Sequence, residues 1–225
     1  MPSGKGPHGL AICIHGGFWR AKYDLGYFGH LCAALTAKGV ATANVEYRRV
    51  GNPGGGWPGT FADIRAAYRF LMQNGKQYGF DARRVVVLGH SAGGQLALCL
   101  AAHETGLVAA ISLAGVIDLR QAYELHLSHD AVVEFLGGTP GDVADHYREA
   151  DPMKLAIRTR QWVVHGGEDD VVPPAISKGY VSVKQKNKED AHLVGIGGAG
   201  HFEIVDPRSM AWRDVERVVV EASKA

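Results

Sequence analysis

The chain predicts an α/β fold, a doubly wound and mostly parallel sheet in a single domain over residues 1–225. Three observations lead there. Short β-branched runs alternate with segments of helical periodicity, the pattern of a parallel sheet covered on both faces. The 30 glycines gather at the ends of the strand-like runs rather than in linkers. At 225 residues the chain suits one core better than two.

About six strands are expected, at Leu10–Ile14, Val40–Val45, Val85–Leu88, Val108–Leu113, Trp162–Val164 and Leu193–Ile196. Between them, Phe61–Met72 sets Ile64, Ala67, Tyr68 and Leu71 on one helical face. Gly94–Ala102 is rich in helix formers, and Pro174–Lys186 repeats Ile176, Tyr180 and Val183. A last helix beginning near Arg208 repeats Ala211, Val215, Val218, Val219 and Ala222. Asp118–Leu155 breaks the rhythm with helical patches around Leu136–Gly141 and no clear strand. It reads as a small cap or insertion near the C-terminal strand ends, where open α/β sheets bind ligands.

Composition excludes several classes. A formal net charge of +1 with dispersed Lys and Arg argues against a nucleic-acid surface. The longest apolar runs are strand-sized, so no membrane span is expected, and Met1–Gly9 lacks the apolar core of a signal peptide. Cys13, Cys32 and Cys99 lie in apolar segments and read as buried free thiols, which favours the cytoplasm. None has the charged surroundings that activate a thiolate. His126, His129 and Asp130 resemble metal ligands in type, but in a polar insertion they read as cap residues, so neither metal nor cofactor is expected.

The chemistry concentrates at Gly89-His90-Ser91-Ala92-Gly93, where the Val85–Leu88 strand meets a helix. A strand–serine–helix turn lifts the hydroxyl clear of the sheet and aims helix N–H groups at it. A serine nucleophile needs a base, and the base needs an acid to orient it. Asp169 follows the Trp162–Val164 strand in a Gly166-x-x-Asp169-x-x-Val172-Pro173 frame, with Glu168 and Asp170 as competing acids. His201, in a glycine-flanked loop after the next strand, is the candidate base. His165 precedes the acid loop and reads as its support. One oxyanion donor is expected at the Ala92 N–H, and others from His15-Gly16-Gly17-Phe18-Trp19. That loop lacks the lysine of a phosphate-binding loop. Trp19 and His90 are the candidate substrate-pocket residues, joined by Phe18 and the insertion.

At these residues the chain resembles the α/β-hydrolase superfamily over nearly its whole length. More narrowly, it is similar to bacterial carboxylesterases related to kynurenine formamidase, through His15-Gly16-Gly17-Phe18-Trp19 and Gly89-His90-Ser91-Ala92-Gly93-Gly94. The resemblance implies a triad of Ser91, Asp169 and His201, and oxyanion N–H groups on Gly17, Phe18 and Ala92. Asn44-Val45-Glu46-Tyr47-Arg48 resembles a family segment in which Tyr47 and Arg48 are structural. Phe18 replaces the third glycine of the hormone-sensitive-lipase branch. The family fold also opens with two further strands, so a shortened N-terminus is expected. Val40–Val45 then becomes a sheet edge, which suggests a homodimer or marginal stability.

The leading functional expectation is a serine esterase for short-chain or aryl esters, a small-molecule enzyme with no nucleic-acid or membrane partner. Arylformamidase is the alternative. A peptidase and a non-catalytic binding module on the same scaffold are more distant readings.

Overall fold

The computed structural model describes residues 1–224. All six strand-like runs become strands; most shift by one or two residues at their ends, while the Val85–Leu88 run extends to Phe80–His90. They are β1 His8–Ile14, β2 Ala41–Val45, β3 Phe80–His90, β4 Leu107–Leu113, β5 Arg160–Gly166 and β6 Ala191–Ile196. They form one 6-stranded sheet in the order β2-β1-β3-β4-β5-β6, with β2 at an edge. Every neighbouring pair is parallel.

Strand side chains alternate between two cores because successive Cβ atoms point to opposite faces. Along β1, Leu10, Ile12 and Ile14 enter one cluster while Ala11 and Cys13 enter the other. Helices α1 (Gly29–Ala37) and α8 (Trp212–Ala222) cover the second face, through Leu31, Leu35, Trp212, Val215 and Val219. Helices α2 (Gly59–Asn74), α3 (Ala92–His103) and α7 (Pro174–Lys186) cover the first, through Ile64, Tyr68, Leu96, Ile176 and Tyr180. The sheet is buried on both sides, which is why its strands read as continuous apolar runs.

Two elements depart from expectation. Helix α1 has no sequence signature, because Gly29–Ala37 is apolar or small at most positions and shows no polar stripe. The last helix starts at Trp212 rather than near Arg208. Asp206 Oδ1 accepts from both the Arg208 backbone N–H and its Nε at 3.0 Å, which holds that segment in a turn.

Between β4 and β5 lie α4 (Leu119–Glu124), α5 (Ala131–Leu136) and α6 (Ala144–Ala150). The loop after β1 ties down α5 and the turn that leads into it. Arg20 donates to Glu134 Oε2 at 2.7 Å and to Ser128 Oγ at 3.0 Å. Trp19 stacks on Phe135 with ring centroids 4.4 Å apart. The chain winds one way from β1 to β2 and the other way from β3 onward. The two windings diverge between β1 and β3, a switch point where such sheets form their ligand crevice.

Candidate active site

The β1–β3 register pairs Ile14 with Gly89, so the loops beyond them, carrying Gly16 and Ser91, emerge side by side. Contact there is too close for side chains. A Cβ on Gly16 would sit 2.7 Å from the His90 carbonyl oxygen, and one on Gly93 would sit 2.1 Å from that of Ile14. The motif glycines are therefore required by backbone approach. Ser91 adopts φ 56 and ψ −120 at the turn into α3. A non-glycine residue there is strained by roughly 1–3 kcal/mol. Backbone hydrogen bonds hold it in place: the Ser91 N–H donates to Leu113 O at 2.9 Å, and its carbonyl accepts from Gly94 at 2.9 Å and Val116 at 3.2 Å.

Of the three competing acids, only Asp169 is buried; Glu168 and Asp170 are exposed. Its Oδ1 accepts from the backbone N–H groups of Val171 at 2.9 Å and Val172 at 2.8 Å. Its Oδ2 lies 2.7 Å from His201 Nδ1 and 3.1 Å from His165 Nε2. Burial alone would favour the neutral acid. The bonds from His165, His201 and Val172 outweigh it and hold the carboxyl well below the usual carboxylate range.

The partners also fix the tautomers. His201 Nδ1 faces an ionised carboxylate and so carries the proton, leaving Nε2 with a lone pair. His165 Nε2 faces Asp169 and the Val172 carbonyl at 2.9 Å, and its Nδ1 accepts from Ser177 Oγ at 2.6 Å. His201 lies beside the elbow, because its ring packs 4.5 Å from that of His90, the residue before Ser91. No hydrogen bond joins Ser91 Oγ to His201 among the described residues.

The loop after β1 turns with positive φ at Gly17 (106), Phe18 (48) and Trp19 (56). The N–H groups of Gly17, Phe18 and Ala92 donate to no acceptor among the described residues. Below the loop, buried His15 stacks on Tyr47 at 4.3 Å, and its Nε2 lies 2.8 Å from Glu46 Oε1. The Tyr47 hydroxyl donates to the His15 carbonyl at 2.9 Å. Arg48 forks onto Asp63 with two bonds of 2.8 Å. Glu46 and Tyr47 thus buttress the glycine loop through His15, while Arg48 ties the segment after β2 to α2.

Trp19 and His90 sit differently from the pocket expectation. Trp19 is 0% exposed, stacked on Phe135, and donates from Nε1 to Gln95 Oε1 at 3.0 Å. It is a core residue and not a pocket residue, because a ring with no exposed surface cannot line a crevice. His90 is 1% exposed and bonds on both ring nitrogens within the protein. Phe18 is half-buried, and Phe202, beside His201, is 60% exposed. In the insertion, His126 Nδ1 pairs with Asp130 Oδ1 at 2.7 Å on the surface.

Sequence reasoning assigned no role to Tyr27, whose hydroxyl reaches the Gly16 N–H and His90. No motif marks it, because it comes from a single 3-10 turn, Leu25–Phe28.

Known proteins show the same fold. The structure superposes on a truncated form of a carbohydrate esterase from gut microbiota with a TM-score of 0.81. The two are 18% identical over 99% of this chain and 88% of that one. In sequence the chain is 24% identical to esterase LipC of Mycobacterium tuberculosis over 92% of its length, and 27% identical to kynurenine formamidase avaC of Aspergillus versicolor over 80%. It spans 55% of LipC and 77% of the formamidase. Against the M. tuberculosis esterases LipC and LipQ, it covers about half of each relative's length. The architecture is that of an α/β-hydrolase. Residues 1–183 match the family model described as BD-FAE, and the chain belongs to that family.

Proposed function

We propose that the protein is a serine carboxylic-ester hydrolase acting on short-chain or aryl esters, with Ser91 as nucleophile, His201 as base and Asp169 as the acid that orients it. The observation that carries this reading is the buried Asp169–His201 pair at 2.7 Å, set beside a serine at positive φ. His201 Nε2 takes the Ser91 proton as Oγ attacks the carbonyl carbon. The tetrahedral intermediate places its oxyanion against the N–H groups of Gly17, Phe18 and Ala92, each donor contributing about 3–4 kcal/mol of barrier. The protonated His201 then gives its proton to the leaving alcohol, and water attacks the acyl-enzyme by the same route. A serine–histidine bond that tightens only with substrate in place is common in such sites. The names of the esterase relatives support this reading.

Residues 118–155 act as a small cap on a single domain, anchored to the glycine loop through Arg20 and Trp19. The three buried free cysteines fit a reducing cytoplasmic setting. No helix among the described residues is long and apolar enough to cross a membrane.

A second reading, arylformamidase, is favoured by the similarity to the A. versicolor formamidase, and it uses the same groups on a formamide. Turnover of p-nitrophenyl acetate and N-formylkynurenine, measured side by side with Ser91→Ala as control, separates the two. Ester turnover that survives Ser91→Ala would overturn both.

A further inference from the structure

Besides the Asp169 loop after β5, three loops carry the proposed chemistry: the glycine loop after β1, the elbow after β3 and the histidine loop after β6. One chain of hydrogen bonds crosses all three. The Gly16 backbone N–H donates to the Tyr27 hydroxyl oxygen at 2.6 Å. The same hydroxyl lies 3.0 Å from His90 Nδ1. His90 Nε2 lies 3.0 Å from the carbonyl oxygen of His201.

Only one arrangement of protons satisfies every link. A carbonyl oxygen accepts and never donates, so His90 Nε2 must carry the ring proton. His90 Nδ1 is then an acceptor and takes the Tyr27 proton. The phenol oxygen, having donated, accepts from Gly16. With the opposite tautomer, His90 Nε2 would set a lone pair against the His201 carbonyl and leave two buried groups without partners, a costly arrangement. Burial supports the same assignment. It holds the His90 imidazole neutral, lowering its pKa to about 3 with help from nearby His201, and it keeps the Tyr27 phenol protonated.

We infer that Tyr27 is a positioning residue, whose hydroxyl and the neutral His90 ring form a strut fixing the glycine loop, the elbow and the His201 loop relative to one another. The inference rests on the reading of Ser91 as nucleophile, but the strut touches neither substrate nor reacting atoms. Gly16 precedes Gly17 and Phe18, and His90 precedes Ser91. The strut therefore sets the distance between the oxyanion donors, the nucleophile and the base. Errors of about 1 Å in such distances can lower rates on the order of a hundredfold. The aromatic ring of Tyr27 packs separately, edge-on to His90 at 5.9 Å and against Phe28 at 5.7 Å, so removing the hydroxyl alone preserves that packing.

The test is Tyr27→Phe. The expected result is a fall in kcat of about tenfold to a hundredfold with KM within about twofold, and an equal slowing of fluorophosphonate labelling. Unchanged kcat, or a rise in KM alone, overturns the inference. A second measurement needs no variant. In wild-type protein with 15N-labelled histidine, His90 should appear as the neutral tautomer protonated at Nε2. A signal for protonation at Nδ1 overturns the strut even where Tyr27→Phe fails to fold. If wild-type protein neither turns over esters nor takes a fluorophosphonate, the reading of Ser91 has failed, and the histidine spectrum still decides the strut.

Discussion

His165 Nε2 lies 3.1 Å from Asp169 Oδ2, the same oxygen that accepts from His201 at 2.7 Å. Two imidazoles therefore share one carboxylate oxygen while backbone N–H groups take the other. The acid is fixed from four directions before any substrate arrives, and His165 is fixed in turn by Ser177. Preorganisation of this kind places the orienting charge without reorganisation during the reaction.

A pair of substitutions reads out that geometry. Glutamine can present an N–H near the place of His165 Nε2, whereas asparagine reaches only as far as Nδ1. His165→Asn should lower kcat about tenfold, or ~1.4 kcal/mol of barrier, and His165→Gln should recover most of the loss. Steady-state kinetics on p-nitrophenyl acetate checks this. Equal activity in both variants would assign His165 to packing alone.

Trp19 belongs to the core, so its loss should appear in stability rather than in substrate binding. In Trp19→Phe the Gln95 Oε1 loses its indole donor at 3.0 Å, an unsatisfied buried group costing about 1–3 kcal/mol. Urea unfolding should show that loss, with KM for short esters within about twofold. A several-fold change in KM at unchanged stability would return Trp19 to the pocket.

The sequence made the sheet legible because parallel strands buried on both faces are short apolar runs bounded by glycine. The order Ser91, Asp169, His201 was readable for a similar reason, since each lies beyond the C-terminal end of a strand, where Asp169 and His201 pair. What the sequence hid depends on contacts far apart in the chain. Trp19 looks like a pocket residue beside the glycine loop, until Phe135, 116 positions later, covers it. Tyr27 carries no motif, and its meaning comes only from Gly16 and His90 converging on its hydroxyl. Helix α1 lacks periodicity because its exposed face is nearly as apolar as its buried one.

Asp151 gives the stability a pH dependence. It is 1% exposed, and burial raises its pKa to about 6, despite bonds from the Leu119 and Met153 N–H groups to Oδ1. A carboxyl whose pKa is raised on folding stabilises the fold when protonated. That stability is present at low pH and is lost as pH rises from the unfolded value near 4 to about 6. Asp151→Asn keeps an oxygen for both N–H groups and does not titrate. Its stability relative to wild type should improve by about 2 kcal/mol between pH 4.5 and 7.5. Urea denaturation at the two pH values measures it, and a difference that does not change with pH would contradict the raised pKa.

The most direct measurement is the mass of the intact protein after treatment with a fluorophosphonate, followed by peptide mapping. The account predicts one adduct per chain on Ser91, concurrent loss of ester turnover, and no adduct in Ser91→Ala. Ester turnover that persists in full once Ser91 carries the adduct, or an adduct on a different residue that abolishes activity, would contradict it.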